Sequence, residues 1–448
     1  MLRLRLLRFF LFWGIWVLVP MAVDGIIALS YLWMAIANRE RRRPPEVDTR
    51  VPPIMVTVLV PVYNAAQTLY RCLESLARQA YPHEAMEVLC LANAVTDHSD
   101  MEFRRAQRDF PGLHMSWVSM PEKGKARALN AGIFMSRGTI VIGVDADTRL
   151  APDAVAHMVA AFSRDERLGA ASGSIQIDLL SGDHPWWWRV INECEALEYL
   201  VAFRIGRHFQ SSRGTIFTLS GAFSAFRRQV ILGTHLYDDR TVSEDTKLTF
   251  EIRNLVEGKW RIACVRDAQA FCEPTRSLSR FMSQRLRWQR GELEVTSLYP
   301  EVYRRSALSA LGDFTGRILL GDHTLSFPRL TWTFMIPYLY LLGYPLPLVA
   351  AATWMTYLLY VIVEWLFLLS VAAPIRSVYR KSVLHWWYLP FAMPLYRLLT
   401  YWFRMAGMIY ALCEPGAWSA ESELERARNE VRRLCSFLLT PAKGTKKR

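Results

Sequence analysis

Hydrophobic positions are distributed unevenly along this chain of 448 residues. Apolar runs dominate both ends, at 9–37 and 330–412, whereas the middle mixes apolar and polar positions as a globular domain does. Runs of about 20 apolar residues are typical of helices that cross a bilayer. The pattern predicts an N-terminal transmembrane anchor with a basic linker (1–50), a cytosolic globular domain (51–300), an interfacial segment (301–329), a C-terminal transmembrane region (330–412) and a basic tail (413–448).

The N-terminal apolar run, residues 9–37, is long enough to cross a bilayer ~30 Å thick with some tilt. It is too long for the apolar core of a cleaved signal peptide, and an uncleaved signal anchor would give the same topology. Arg39 and the arginines at 41–43 follow the run, so the positive-inside rule places the next domain in the cytoplasm. Arginines among the first eight residues favour the opposite orientation.

The C-terminal apolar region predicts three membrane segments. Residues 330–350 and 351–373 are expected to form a hairpin of two spans that turns around Gly343 and the prolines beside it. An aromatic-rich third segment covers 386–412 and contains two arginines. A charge at bilayer depth costs roughly 2.5–3.5 kcal/mol on insertion scales, so we expect these arginines to face a polar cavity or the interface.

The formal net charge of +13 bears on the partners of the chain. Lysines and arginines flank the apolar runs and fill the tail, which favours attraction to an anionic inner leaflet over binding to nucleic acid. The seven cysteines show neither the paired spacing of a metal site nor a disulfide framework. We therefore predict membrane lipid as a partner, no nucleic acid as a partner, and reduced cysteines.

The globular region alternates short apolar runs with amphipathic stretches. Runs rich in β-branched or apolar residues at 56–61, 86–91, 114–118 and 139–144 are typical of strands, and 68–78 has the apolar spacing of a helix. This alternation predicts an α/β fold with an open parallel sheet and right-handed crossovers. Ligands bind such sheets beyond the carboxyl ends of the strands.

Asp145 and Asp147 directly follow the strand predicted at 139–144. Carboxylates at positions i and i+2 can hold a hard divalent cation, which neutralises phosphate oxygens. An Asp-x-Asp sequence also occurs by chance on surfaces, but its place after an apolar strand favours a functional pair. We predict that Asp145 and Asp147 bind Mg²⁺ or Mn²⁺.

A second acidic cluster is Ser243-Glu244-Asp245. A carboxylate close to an acceptor hydroxyl can take its proton as that hydroxyl attacks an electrophilic carbon. The alternative is a helix N-cap, in which Ser243 caps the helix and the acids favour its first turn. The two interpretations are compatible, and the cluster alone favours the cap.

Two cationic sites accompany the acids. Lys125 follows Gly124 at a predicted start of a helix, where it can meet a phosphate, and it can equally be an ordinary surface lysine. In the run from Gln284 to Trp288, Arg287 can stabilise a departing diphosphate and Trp288 can stack on a sugar face. An amphipathic stretch at a membrane interface is the alternative.

These clusters, in this order, resemble the family 2 glycosyltransferases, especially the membrane-integrated branch of cellulose, chitin, hyaluronan and poly-N-acetylglucosamine synthases. The resemblance covers about residues 55–295. Its most specific part is the Gln-x-x-Arg-Trp hallmark of the polymerising branch at 284–288, which some lipid glucosyltransferases also carry. The segments at 219–227 and 288–294 are also similar to a bacterial subgroup associated with exosortase systems.

The resemblance implies a GT-A-like, Rossmann-type parallel sheet with transmembrane helices at both ends, and a role for each matching residue. Asp245 would be the general base, with Glu244 beside it. The implied donor-binding residues are Pro61, Tyr63, Asn64, Asn93, Lys125, Asp145, Gln284, Arg287 and Trp288. The implied acceptor-binding residues are Ser220, Gly221, Ala222 and Trp288, and the implied metal ligands are Asp145 and Asp147.

One departure from the family concerns the nucleotide base. The family usually has Asp-Asp-Gly-Ser near its second strand, and the second Asp contacts the uracil edge. This chain has Asn93 at that position. An amide both donates and accepts hydrogen bonds and so can read a base edge, but the change weakens the case for a strict uridine preference.

The resemblance implies inverting transfer of a sugar, with N-acetylglucosamine as the leading candidate, from a UDP-sugar to a growing extracellular polysaccharide. It also implies a multi-pass protein of the bacterial inner membrane, and it is compatible with accessory membrane subunits. Two alternatives remain: a single-transfer enzyme that acts on a lipid carrier, and a catalytically inactive membrane protein that senses nucleotide. The intact acids and Arg287 argue against inactivity, and Asn93 argues for it.

Overall fold

The computed structural model describes residues 19–37, 53–121, 123–179, 185–239, 241–255, 260–299, 338–373, 383 and 385–413. The strands are β1 (Val56–Val62), β2 (Met86–Asn93), β3 (His114–Met120), β4 (Ile140–Val144), β5 (Thr148–Leu150), β6 (Leu168–Ile177), β7 (Phe223–Arg227) and β8 (Arg261–Cys272). The helices are α1 (Val19–Ala37), α2 (Leu69–Ala77), α3 (Ser99–Asp109), α4 (Lys125–Met135), α5 (Ala154–Arg164), α6 (Trp186–Tyr199), α7 (Arg207–Ser212), α8 (Arg228–Ile231), α9 (Glu244–Asn254), α10 (Leu278–Leu298), α11 (Leu346–Ala372) and α12 (Leu389–Cys413).

The strands form a single sheet in the order β3-β2-β1-β4-β7-β6-β8-β5. The four strands and the helix predicted from apolar runs are all present, with ends that shift by at most two residues. They pair in parallel, as predicted, because the connection between successive strands passes through a helix. The fold is therefore α/β, and the observed strand order places β4 near the centre of the sheet.

The prediction of a wholly parallel sheet is wrong for the other half. Strand β7 runs antiparallel to both β4 and β6, and β5 runs antiparallel to β8. Because β7 is reversed, its first residue lies opposite the last residue of β4, with Phe223 paired to Val144. The segment 220–222, which leads into β7, is therefore delivered to the carboxyl end of β4. The mixed sheet brings this segment to the place where Asp145 begins the next loop.

Strand β1 shows why the sheet is buried on both faces. Val58 and Val60 belong to one apolar cluster, while Leu59 belongs to a second cluster with residues of α4. Successive side chains of a strand point to opposite faces, so a strand covered on both sides is a continuous apolar run. This explains why β1 is apolar on both faces apart from Thr57, whose buried hydroxyl donates to Glu87.

Among the described residues, α11 is the one helix long and apolar enough to cross a membrane. The described apolar part of α1, Met21–Ala37, is shorter than such a span, and α12 does not meet the same criterion. Transmembrane helices at both ends are therefore supported at α11 alone. Residues 1–18, 301–337 and 414–448, which include the predicted interfacial segment and basic tail, lie outside the described residues.

The predicted hairpin of spans is wrong in its boundary. The chain does turn at Gly343, which has a φ of 86° that favours glycine. The helix after it begins at Leu346, behind Pro345, and continues without interruption to Ala372. Because Pro345 and Pro347 stand at the start of this helix, where proline is tolerated, they initiate the helix and do not divide it. Residues 330–337, the first part of the expected preceding span, lie outside the described part of the chain.

Arg397 of α12 is paired with a carboxylate of the neighbouring helix. It donates two hydrogen bonds to the buried Glu364 of α11, and the bond to Glu364 Oε2 is 3.0 Å long. A charge is tolerated in an apolar setting when a partner of opposite sign satisfies it. The pair therefore links α11 and α12.

Candidate active site

Asp145 and Asp147 lie in the loop between β4 and β5, at the carboxyl end of the parallel strands. The Asp145 N–H donates to the carbonyl of Ala222 at 3.3 Å, which joins this loop to the segment before β7. The N–H of Thr148 donates to the Asp145 carbonyl at 2.9 Å and closes a tight turn. The turn exposes two carboxylates at the sheet edge where ligands bind.

Lys125 is the cation at the centre of the acidic residues. Its Nζ lies 2.8 Å from Asp145 Oδ1 and 3.7 Å from Glu244 Oε1. Burial by itself lowers the pKa of Lys125, but Asp145 and Glu244 outweigh this effect and raise it above its ordinary value. Lys125 is therefore a charged group that bridges β4 and α9, and it is not an ordinary surface lysine.

Asn93 supports the turn that carries Lys125. The side chain is buried at the end of β2, and its Oδ1 accepts a hydrogen bond of 2.7 Å from the N–H of Gly124. Gly124 has a φ of 155°, which favours glycine. The amide thus fixes the start of α4.

Asp245 stands in the first turn of α9 and faces the segment before β7. Its Oδ2 accepts from the N–H of Gly221 at 3.2 Å, and its Oδ1 accepts from the N–H of Thr246 at 2.8 Å. A β-carbon on Gly221 would lie 3.4 Å from Asp245 Oδ2 and 3.6 Å from Lys125 Nζ. The predicted acceptor segment Ser220-Gly221-Ala222 therefore passes directly beside the predicted base.

The carboxylates of α9 are difficult to ionise. Burial raises the pKa of Asp245 and of Glu244, and Lys125 opposes the rise in both. Ser243 occupies the N-cap position of α9, as the capping interpretation expects, but its side chain makes no capping hydrogen bond. A raised pKa suits a group that must accept a proton, so it is compatible with the predicted general base.

The residues around Asp145 and Asp147 fit a divalent cation by their chemistry. Burial and the neighbouring charge of Asp145 raise the pKa of Asp147, and Lys125 opposes the rise. A cation would relieve this repulsion, and carboxylate oxygens suit Mg²⁺ and Mn²⁺. Within the described ranges, no group of three or more His, Cys, Asp or Glu side chains is arranged to hold a metal ion. The protein would therefore supply Asp145 and Asp147, and phosphate oxygens and water would complete the coordination.

The residues predicted to hold the nucleotide lie at the neighbouring strand ends. Asn64, with a φ of 47°, is hydrogen-bonded through its side chain to Thr96, so the loops after β1 and β2 are tied together. The ring of Tyr63 lies 5.5 Å from Lys123 Nζ, and Pro61 is half-buried within β1. These residues share the sheet edge with Asp145.

Helix α10 carries the remaining predicted residues on different sides. Arg287 is exposed and lies close enough to Glu244 to oppose the rise in its pKa. Trp288 packs against Tyr199 and Phe203, with ring centroids 6.0 Å apart in each case. Gln284 donates to the Tyr199 hydroxyl at 3.3 Å. Arg287 therefore joins the acidic cluster, whereas Trp288 and Gln284 lie against α6 and the residues after it.

Arg285 was not among the predicted residues. It is buried, pairs with Glu198 at 2.7 Å, and donates to the Tyr396 hydroxyl at 3.2 Å. Its spacing in the sequence could have identified it, because Arg285 shares one helix face with the aromatic residues Phe281 and Trp288. Arg285 ties α10 to α6 and α12.

The comparisons with known proteins agree with this arrangement. The profile described as "Glycosyltransferase like family 2" matches residues 52–291. The poly-beta-1,6-N-acetyl-D-glucosamine synthase of Staphylococcus aureus strain COL is 26% identical over 243 residues, which is 54% of this chain and 55% of the relative. The Staphylococcus epidermidis synthase of the same name is 25% identical over 243 residues, with the same coverage. The chain thus spans about half the length of the curated relatives it matches.

A solved structure shows the same fold. It is the mannosyltransferase of Pyrobaculum calidifontis in complex with GDP-Man and Mn²⁺, with a TM-score of 0.53 and 19% identity, and the match covers 91% of this chain and 99% of that one. At this identity the likeness concerns the fold. Together with the profile, which matches more than half of the chain, it identifies the sheet as a GT-A-like α/β fold. The chain belongs to glycosyltransferase family 2.

Proposed function

We propose that this chain is a membrane-integrated, inverting glycosyltransferase that transfers N-acetylglucosamine from a UDP-sugar to a growing polysaccharide. The observation that carries the proposal is the convergence of Asp145, Lys125, Asp245 and Gly221 at one end of the sheet. This site places groups suited to a diphosphate beside a carboxylate suited to a hydroxyl. The choice of sugar is supported by the names of the staphylococcal relatives.

In the proposed reaction, the acceptor hydroxyl loses its proton to Asp245 as its oxygen bonds to the anomeric carbon. The bond from that carbon to the diphosphate oxygen breaks on the opposite face, and the nucleoside diphosphate leaves with the electron pair. A divalent ion held by Asp145 and Asp147 would neutralise phosphate charge when bound. Lys125, which lies 3.7 Å from Glu244, and Arg287, whose charge also acts on Glu244, would stabilise the departing diphosphate.

Exposed apolar side chains support the membrane part of the proposal. Leu29 and Trp33 are exposed on α1, as are Trp354, Leu358 and Ile362 on α11. Such a large exposed apolar surface marks contact with a membrane or a partner. We propose an inner-membrane protein of bacteria with the catalytic domain in the cytoplasm, and we place the acceptor glycan beside 220–222.

The test uses the purified full chain in detergent with a panel of nucleotide sugars and Mg²⁺ or Mn²⁺. We expect release of nucleoside diphosphate from UDP-N-acetylglucosamine and a product of high molecular weight. A short, lipid-extractable product would contradict polymerisation and favour transfer to a lipid carrier. Binding of nucleotide without turnover of any donor would contradict the enzymatic proposal.

The rate should fall on the acid side of the pH profile. Asp245 must be ionised to accept a proton, and burial raises its pKa above the ordinary value of 3.8. As the pH falls through this raised pKa, Asp245 becomes protonated and kcat decreases. The measurement is kcat against pH at saturating donor, with circular dichroism at each pH as a control for folding. A rate that stays constant down to the ordinary range of an aspartate would contradict this assignment.

A further inference from the structure

Helix α10 presents three different faces to its neighbours. Phe281, Arg285 and Trp288 face α6 and α12. Arg287, Gly291 and Glu294 have the i, i+4, i+7 spacing of another face. Gly291 lies against Ser243, and Glu294 accepts a hydrogen bond from the N–H of Val242, so both contact the two residues before Glu244. One face of α10 therefore packs along the segment that leads into Asp245.

Gly291 allows an unusually close approach of two backbones. A β-carbon built on Gly291 would lie 2.5 Å from the β-carbon of Ser243 and 3.2 Å from its backbone nitrogen. Neither atom is the far end of a flexible side chain, so a methyl group there would displace backbone. Ser243 directly precedes Glu244 and Asp245, and a displacement of Ser243 would move the predicted base.

Glu294 holds the same segment one turn further along α10. Its Oε2 accepts a hydrogen bond of 3.1 Å from the N–H of Val242, and its Oε1 accepts one of 2.6 Å from Nε of the buried Arg290. Both carboxylate oxygens are therefore in use. The start of α9 is fixed at two consecutive residues, by contact at Ser243 and by a hydrogen bond at Val242.

Helix α12 prevents α10 from moving away. A β-carbon on Gly407 of α12 would lie 2.7 Å from the carbonyl oxygen of Leu286 and 3.0 Å from the β-carbon of Gln289. The two helices are thus in backbone contact on a side of α10 away from Ser243. Since α10 is held between α12 and Ser243, added volume at Gly291 would be relieved at Ser243.

We propose that Gly291 and Glu294 are positioning residues for Asp245. They set the distance between the first turn of α9 and Gly221, and they transmit the position of α12 to the catalytic carboxylate through α10. The inference rests on the proposed function, in which Asp245 is the base. It gives Gly291 and Glu294, which follow the Gln-x-x-Arg-Trp sequence by three and six residues, a role separate from donor or acceptor binding.

The test is Gly291→Ala in the full chain, with Gly25→Ala as the matched control. Gly25 also lies in a helix, α1, but a β-carbon there would meet nothing within 4 Å. We expect Gly291→Ala to lower kcat by roughly 100-fold, as misplacement by about 1 Å can, with KM for the donor and the binding of UDP nearly unchanged. Gly25→Ala should match the wild type in both constants.

A second variant separates positioning from loss of folding. Ser243→Gly in the Gly291→Ala background removes the β-carbon that the new methyl group meets, so kcat should recover at least tenfold over the single variant, whereas general destabilisation would not be relieved. Glu294→Gln should lower kcat without changing UDP binding, and it provides an independent result if Gly291→Ala does not fold.

If Gly291→Ala and Glu294→Gln both turned over at the wild-type rate, this inference would be overturned, but the proposed function would not. A fall in kcat with an equal loss of UDP binding, and with no recovery by Ser243→Gly, would overturn it as well. Absence of turnover in the wild type would overturn the proposed function, and the inference with it.

Discussion

Asp245→Asn is expected to reduce kcat by about 1,000-fold, within the range that a general base contributes. The amide keeps the size of the carboxylate but cannot accept the hydroxyl proton. Asp245 Oδ1 and Oδ2 now accept from the N–H groups of Thr246 and Gly221, and an asparagine can satisfy only one of the two. The side chain therefore stays near its place while its chemistry is lost. The measurement is kcat and KM for the donor, together with the affinity for UDP.

The matched control for this variant is Asp239→Asn. Asp239 is an exposed carboxylate that pairs with Arg127 at 3.0 Å, away from the acidic cluster. Exposed ion pairs contribute at most about 1 kcal/mol, so this variant should keep the wild-type rate. If Asp245→Asn retained more than a tenth of the wild-type kcat, Asp245 would not be the base. Glu244→Gln would then identify its neighbour as the alternative.

The first half of the sheet could be predicted from the sequence because its signal is local. Residues 139–144 form a short apolar run, and Asp145 follows where the run stops. A buried strand followed by carboxylates indicates a strand end at a ligand site without knowledge of distant residues. The direction of a strand, in contrast, could not be predicted from the local sequence. The residues of β7, Phe223–Arg227, alternate in the same way whichever way the strand runs, so its antiparallel pairing with β4 depends on long-range contacts.

The sequence also could not show which residues far apart in the chain contact each other. Lys125 was ambiguous between a surface lysine and a phosphate ligand, and only the packing of α4 beside β4 and α9 decides that it meets Asp145 and Glu244. Likewise, the pattern around 284–288 shows which residues share a helix face but not what each face meets. In the structure Trp288 packs against Tyr199, and the charge of Arg287 opposes the rise in the pKa of Glu244.

Asn93 shows that a residue singled out by a motif comparison can also have a structural contact that the motif does not reveal. Its place after the second strand suggested a contact with a nucleotide base, but its side-chain oxygen accepts the N–H of Gly124 at 2.7 Å. Whether the amide nitrogen also meets a base remains a prediction. A buried amide that supports the turn before Lys125 gives this position a structural reason that is independent of the choice of nucleotide.

Asp147→Asn is expected to weaken the binding of Mn²⁺ and to lower kcat/KM by roughly 100-fold or more, since a metal ion supplies several kcal/mol of charge stabilisation in the transition state. Asp145→Asn should give a larger loss, because Asp145 also holds Lys125 at 2.8 Å. Without Asp145, the ammonium would be drawn towards Glu244 and Asp245, where it would lower the basicity of the predicted base. Electron paramagnetic resonance of free Mn²⁺ gives the affinity of each variant without reference to turnover.

The two variants should therefore differ in their response to metal. A higher concentration of Mn²⁺ should restore much of the activity of Asp147→Asn, because only the affinity for the cation is reduced. It should not restore Asp145→Asn, because the displaced Lys125 remains beside Asp245 at every metal concentration. Equal recovery of both variants would show that Asp145 acts only as a metal ligand. Unchanged Mn²⁺ affinity in both variants would show that the pair does not bind the metal, and the role of the carboxylates would then be to hold Lys125 at the centre of the site.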